Sequence, residues 1–281
     1  MINPLMINFL HTFEPSAILF SAGPITVYWY GLFIVIGIIS ALAITFRLAE
    51  YYNIPSDTIF DLFFWLIIGG LIGARLYDIL LEFSYYQEHP WQMLQIWKGG
   101  LAIHGAIFAG LLITLLFIKN KKLNFWRLTA LLVPGLAIAQ AIGRWGNYFN
   151  QELFGSPTDS PWGIPISLIN RPAQYITSTY FQPTFLYESL GCLLIGLTLI
   201  TINIYQIRKE RLNDYFFIWS TALYMILYSI LRFSLEFIRS DKTPYFLGLR
   251  WPQFISLIIF AGSILLLIFN SHARSTKNDQ K

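Results

Sequence analysis

Seven long apolar runs divide the chain. A helix needs about 20 mostly apolar residues to cross a hydrocarbon core. Runs of that kind lie near residues 25–46, 60–81, 100–118, 125–143, 185–206, 215–237 and 251–270. They predict an all-α integral membrane protein with seven transmembrane helices. Most connections between the runs are short and polar, and two are not. Residues 145–184 form a long stretch rich in Gly, Pro, Asn and aromatics. Loops of that length are functional or disordered. The side chains of Trp145, Tyr148, Phe149, Phe154 and Trp162 argue for a small folded head. Residues 82–99 carry Trp91 and Trp97, which suit the headgroup level and predict a short interfacial element. The expected organisation is an N-terminal arm (1–24), a seven-helix domain (25–270) that includes the head, and a tail (271–281).

Composition supports this picture. Only 12% of the 281 residues are charged and 56% are hydrophobic, whereas a soluble domain carries about 25% charged residues. The net charge of +4 is small. Its basic residues sit in short clusters between apolar runs, which fits a membrane and not nucleic acid. The first run is too long for the apolar region of a signal peptide and has no basic residue before it, so it is taken as a true span. The single cysteine, Cys192, excludes an internal disulfide and any cysteine-based metal site. It lies in an apolar run and is expected to be a packing residue.

Orientation follows from Lys and Arg, which favour the cytoplasmic side. Eleven of the 19 fall on one side of the seven runs, at Arg47, in the loop from Lys119 to Arg127, in the loop from Arg208 to Arg211, and in the tail. Six fall on the other side, and Arg75 and Arg232 lie within spans. The N-terminus is therefore expected outside and the C-terminus in the cytoplasm, with the head in the periplasm.

That topology brings the polar residues of five spans to one depth near the outer face. Arg75 lies toward the outer end of the second span, His104 of the third and Arg144 of the fourth. Glu188 opens the fifth, and Arg232, Glu236 and Arg239 line one face of the sixth. Ionisable residues in a membrane are costly and point to function. Each also has a structural use. Arg75 can snorkel outward, the glycines of Gly69–Arg75 suit close helix packing, Glu236 can neutralise Arg232, and Glu188 can hold an arginine. His104, flanked by Gly99, Gly100 and Gly105, carries an imidazole, the side chain best suited to proton abstraction at neutral pH. No second histidine or cysteine cluster lies near it, which argues against a metal. Residues 143–155 (GRWGNYFNQELFG) are the densest polar segment. Arginines at headgroup level predict an anionic ligand, for which a phospholipid is the abundant candidate, and a base beside them predicts chemistry.

The segment 143–155 resembles the signature of the phosphatidylglycerol–prolipoprotein diacylglyceryl transferase family, of the form G-R-x-G-N-[FY]-x-N-x-E-x-x-G. Supporting matches are Trp29-Tyr30-Gly31, Gly69 to Arg75, Gly99-Gly100-Leu101 with His104-Gly105, Pro183 with Leu186-Tyr187-Glu188, and Arg232 with Glu236, Phe237 and Arg239. The resemblance covers essentially the whole chain, and seven spans with the N-terminus outside is the family arrangement. It implies transfer of diacylglyceryl from phosphatidylglycerol to the lipobox cysteine of a prolipoprotein. The product is a thioether, the by-product is glycerol 1-phosphate, and the place is the bacterial plasma (inner) membrane with the site toward the outer leaflet. The catalytic residues implied are His104, Arg144 and Arg232. The binding residues implied are Tyr30, Arg75, Arg144, Asn147, Glu152, Gly155, Glu188, Glu236 and Arg239. Metals, nucleotides and redox cofactors are not called for. Two other classes compete: an anionic-lipid transporter, against which the absence of an internal repeat counts, and a non-catalytic lipid receptor, which turnover would exclude.

Overall fold

The computed structural model describes residues 9–23 and 25–278. Residues 1–8 and 24 of the expected arm and 279–281 of the tail, with the basic residue Lys281, lie outside the described residues, as do the side chains of Lys98, Arg274 and Lys277. Among the described residues, seven helices are long and apolar enough to cross a membrane: Trp29–Ala49, Ser56–Leu81, Ile103–Lys121, Phe125–Phe149, Thr184–Arg208, Asp214–Leu235 and Trp251–His272. They are called here the first to seventh spans. Their outward faces are apolar. On the third, Ile107, Phe108, Leu111, Leu112, Leu115 and Leu116 are all exposed, as expected of a helix that meets lipid.

The boundaries of the first and fourth spans differ from the sequence expectation in ways that bear on the site. The first helix begins at Trp29 because Ile25–Tyr28 is an antiparallel strand paired with Ile18–Ala22, in the register Phe20↔Val27 and Ser21↔Thr26. Ile25 and Val27 are β-branched and alternate with Thr26 and Tyr28, a strand pattern. The fourth helix continues to Phe149, so the first half of the 143–155 segment is helical. In sequence, Gly143 and Gly146 are compatible with a turn at the end of the span. Gly146 instead lets the helix approach the ring of Tyr30, which a Cβ there would meet at 2.5 Å.

The chain forms two compact units, one of Phe46–Leu128 and one of Met1–Thr45 with Thr129–Lys281. In the smaller unit the second and third spans touch backbone to backbone. A Cβ on Gly73 would lie 2.6 Å from the Gly105 carbonyl oxygen, and one on Gly105 would overlap the Gly73 carbonyl. Asp61 and Lys121 join the far ends of these spans at 2.9 Å. The connection between them is a short helix, Phe83–Glu88, followed by 3-10 turns at Pro90–Leu94 and Ile96–Lys98. Trp91 and Trp97 project from it, 79% and 72% exposed, in accord with an interfacial element.

In the larger unit the fourth span is central. Gly37 of the first span lies against Ala139, Gly135 against Ala41, and Gly196 of the fifth span against Ile138. Gly191 admits Leu231 of the sixth. Hydrogen bonds from Tyr224 to Gln140 (3.0 Å) and between Thr129 and Thr221 (3.0 Å) tie the sixth span to the fourth. Such small-residue contacts and interhelical hydrogen bonds replace the hydrophobic effect as the source of packing in lipid. The head is folded around Leu10, Tyr148, Phe154, Ile164, Ile166, Phe181 and Phe185. A two-residue antiparallel pairing, Ile164↔Phe181 and Pro165↔Tyr180, closes it.

The Gly73–Gly105 contact generates a stability prediction. Gly105→Val inserts branched carbons where backbone already stands, and overpacking costs about 1–3 kcal/mol. Its melting temperature in detergent is expected to fall by several degrees. Gly110→Val on the same helix meets only Leu66, at 3.9 Å, and should melt close to wild type. Equal melting of the two variants would refute the contact.

Candidate active site

The larger unit gathers arginines around two carboxylates. Glu188 sits one turn into the fifth span, and the hydroxyl of Thr184, at the start of that helix, donates to the Leu153 carbonyl. Glu188 Oε1 lies 2.7 Å from an Arg144 nitrogen, and the Tyr228 hydroxyl donates to the same oxygen at 3.5 Å. Arg232 and Arg239 each come within 3.9 Å of Oε2. Glu236, four residues beyond Arg232, lies 2.5 Å from that guanidinium, 3.6 Å from Arg239 and 2.7 Å from Arg250. Asp241 closes the network, 2.8 Å from Arg239 and 3.4 Å from Arg250.

Burial within the network is uneven. The side chains of Glu188 and Glu236 are 3% and 0% exposed, and Arg239 is 5% exposed. Arg144 and Arg232 remain 22% and 18% exposed. The buried carboxylates face inward and the two arginines retain accessible surface. Four arginines meet three carboxylates, so the cluster holds one excess positive charge and not a bare cationic patch. Unpaired, either buried carboxylate would be costly.

The 143–155 segment feeds this network from the end of the fourth span. Arg144 donates to Asn147 Oδ1 at 3.4 Å, and Asn147 Nδ2 donates to Glu152 at 2.8 Å. That amide orientation is the one that satisfies both neighbours. Glu152 is itself exposed and is flanked by Gln151 and Leu153, both at positive φ (51° and 55°). Gln151 is held there by its side chain, which donates to Pro15 O (2.8 Å) and accepts from Ser167 N (2.7 Å). Gly155 pairs with Arg239 as an isolated antiparallel bridge, and Ser156 N donates to Ile238 O at 2.7 Å. A Cβ on Gly155 would meet Ile238 O at 2.9 Å and Gln182 Cβ at 2.6 Å. Glycine at this position lets the segment after the sixth span lie close enough to place Arg239. Tyr30, half-buried, lies against Gly146, one helical turn below Asn150.

Arg144, Asn147, Glu152, Gly155, Glu188, Arg232, Glu236 and Arg239 are therefore joined by direct contacts in one unit. Arg75 and His104 belong to the other unit. Arg75 is buried and its donors go to backbone: Met93 O (3.0 Å), Gly99 O (2.8 Å), Gly100 O (2.7 Å) and Gln92 O. Asp78 lies 3.6 Å away and the Tyr86 ring 5.1 Å. The left-handed backbone of Gly99 (φ 92°) and Gly100 (φ 71°) turns two successive carbonyls onto this guanidinium. The Tyr86 hydroxyl donates to Asp78 at 2.8 Å, and burial first, then this bond, pushes its pKa up. His104 is exposed, with its ring 6.0 Å from that of Tyr77. The glycines beside it have uses of their own: Gly105 admits Gly73, and Gly99 and Gly100 bind Arg75.

Sequence reasoning missed Arg250, Asp241 and Tyr228. In sequence, Arg250 is one of the six cations on the less positive side of the spans. Its signal was available: it is a basic residue directly before the seventh span, on the side with fewer positive charges. Tyr228 lies one turn before Arg232 on the same face. Cys192 is buried and one turn beyond Glu188 on the fifth span, nearer the cluster than its apolar surroundings implied, because residues four apart share a helix face. Among the described residues, no three His, Cys, Asp or Glu side chains gather to hold a metal ion.

Comparison with known proteins agrees with the motif. The sequence model of the family described as prolipoprotein diacylglyceryl transferase matches residues 17–269. The phosphatidylglycerol–prolipoprotein diacylglyceryl transferase of Synechococcus elongatus is 42% identical over 257 residues, which is 91% of this chain and 88% of that protein. The proteins of the same name from Acaryochloris marina (42% identity, covering 87% of each chain) and Prochlorococcus marinus subsp. pastoris (37% identity, covering 95% and 97%) are similar along nearly their whole lengths. By the span of the family match and the identity to these relatives, the chain belongs to the prolipoprotein diacylglyceryl transferase family.

Proposed function

We propose that this chain transfers the diacylglyceryl group of phosphatidylglycerol to the lipobox cysteine of a prolipoprotein signal peptide, the first step of lipoprotein maturation. The observation that carries the reading is the Glu188-centred network, in which buried carboxylates hold Arg144 and Arg232 while leaving both partly accessible. In the reaction, the peptide sulfur attacks the glycerol carbon that bears the phosphate ester. A C–S bond forms as the C–O bond breaks, the thiol proton passes to a base, and glycerol 1-phosphate leaves with one more negative charge than the diester had. Arginines already held in place by carboxylates stabilise that growing charge without reorganising. A free thiol has a pKa near 8.5, so a base or a positive field assists at neutral pH. His104 is assigned the base role on its chemistry. Tyr30, Asn147, Glu152, Gly155, Glu188, Glu236 and Arg239 shape and hold the arginine site, and Arg75 orders the element that precedes His104. The distribution of Lys and Arg supports a site toward the outer leaflet of the bacterial plasma membrane.

Purified protein with phosphatidylglycerol and a lipobox peptide is expected to yield a thioether-lipidated peptide and free glycerol phosphate. No turnover by folded protein would overturn the reading. Arg232→Lys keeps the charge and loses the fork that serves Glu188, Glu236 and a phosphate together. Turnover should fall by about 10²–10³-fold, the usual cost of one pre-organised donor; a loss below threefold would exclude Arg232 from the phosphate site.

His104→Gln should be slow at neutral pH and recover as pH approaches the substrate thiol's own pKa, since a positioned base contributes about 10²–10⁴-fold. Near-wild-type turnover with an unchanged pH profile would remove His104 from proton transfer. Cys192→Ser should retain turnover within a few-fold, because the nucleophile belongs to the substrate. Abolished turnover in folded Cys192→Ser protein would require a covalent enzyme intermediate.

A further inference from the structure

Arg250 has no place in the reading above, and its contacts are the most complete of any arginine in the cluster. Its Nε lies 2.7 Å from Glu236 Oε2. One terminal nitrogen donates to the Arg239 carbonyl at 2.8 Å, and the other to the Asp241 carbonyl at 2.8 Å. The second also lies 3.4 Å from the Asp241 carboxylate. Its own backbone N–H donates to Gln253 Oε1 at 3.1 Å, and it sits in the two-residue strand Leu249–Arg250 that pairs with Tyr245–Phe246. Both terminal nitrogens donate to backbone carbonyls, and Nε, buried, is ion-paired with Glu236 without hydrogen-bond geometry. Its side chain is 11% exposed, about half the value for Arg144. Arg250 therefore has little left to offer a ligand, and its effect must pass through the groups it holds.

Those groups include the carboxylate that competes for Arg232. Glu236 has one oxygen on Arg232 at 2.5 Å and the other on Arg250 at 2.7 Å. Both of its oxygens are buried, and Arg239 is a third neighbour at 3.6 Å. With Arg250 present, Glu236 is shared and approaches Arg232 through one oxygen. With Arg250 removed, a fully buried carboxylate loses its second close cation, and Arg232, already 2.5 Å away, is left as its one close partner, with Arg239 at 3.6 Å. A carboxylate that draws harder on Arg232 leaves less of that guanidinium, whose side chain is 18% exposed, for an anionic ligand.

We propose that Arg250 is a positioning residue for the phosphate-bearing substrate: by occupying one oxygen of Glu236 and fixing the 239–241 backbone, it keeps Arg232 available to the phosphate. This rests on the transferase reading, and the test separates the two. In the wild-type assay, absence of lipidated peptide refutes that reading whatever Arg250 does. Given wild-type turnover, the comparison is between Arg250→Met and Arg250→Lys, with KM for phosphatidylglycerol and for the lipobox peptide determined separately. Arg250→Met should raise the lipid KM about tenfold and leave the peptide KM within twofold. Arg250→Lys restores a cation beside Glu236 without the two carbonyl bonds, and should recover at least half of the lipid effect on a logarithmic scale.

A merely structural role predicts a different pattern: equal losses with both substrates, a melting temperature that falls in step, and no rescue by Lys. That pattern overturns the proposal, as does an unchanged lipid KM in Arg250→Met. If Arg250→Met does not fold, Arg250→Lys and Arg250→Gln stand in for it. The proposal then requires the lipid KM to rise from Arg to Lys to Gln while the peptide KM stays level; a flat order for the lipid refutes it.

Discussion

Everything at the site depends on Glu188 being charged where water is scarce. A carboxylate with 3% of its side chain exposed has to be paired, and Arg144, Arg232 and Arg239 are its partners. These come from the end of the fourth span, from the sixth span and from the segment after it. One buried charge thus fixes three chain segments relative to the fifth span. Removing one member of a buried pair costs about 3–5 kcal/mol, because the other charge is stranded. The same requirement explains Gly155. The backbone at Ile238 can reach the 155–156 turn only where no Cβ stands between, and Arg239 follows from that contact.

The carboxylates also settle an apparent contradiction. Arginines in a membrane suggest an anion site, yet these arginines are already paired. An unpaired arginine at mid-span costs about 2.5–3.5 kcal/mol on insertion scales, while a pair at about 4 Å recovers about 4 kcal/mol at an effective dielectric of about 20. The two are of one size, so pairing is what lets the cluster exist before any ligand arrives. Pairing is incomplete by one charge, and it leaves surface on Arg144 and Arg232 and on no carboxylate of the core. On the proposed reading, that residual charge is what meets a phosphate that gains charge.

Much of this was legible in the chain. Seven apolar runs gave seven helices, and Arg232, Glu236 and Arg239 share a face by spacing alone. The helical first half of the 143–155 segment was not legible, because Gly143 and Gly146 look like turn residues until Tyr30 is placed against the second of them. In sequence, the small residues around His104 are compatible with room for a substrate. Gly105 instead meets Gly73, and Gly99 and Gly100 deliver carbonyls to Arg75. A lone sequence shows that a residue is small but not which neighbour requires it to be. Arg250 was overlooked for the opposite reason. A cation beside a span has an ordinary use as a flanking charge, and only the fold brings Glu236 to it.

Arg75 and the arginines of the larger unit show two uses of one side chain. Arg75 meets four backbone carbonyls, which are neutral acceptors, with Asp78 at 3.6 Å as its ion partner. Its fork organises a loop, and its charge is incidental to that geometry. Arg144 and Arg232 meet carboxylates end-on and keep exposed surface, so charge is what they contribute. Lysine is expected to substitute poorly in both cases, for different reasons: at Arg75 it lacks the number of directed donors, and at Arg232 it cannot span Glu188 and Glu236 as the fork does. Sequence treats these arginines as one class of intramembrane cation. The partners decide which of them is spent on backbone and which keeps exposed charge.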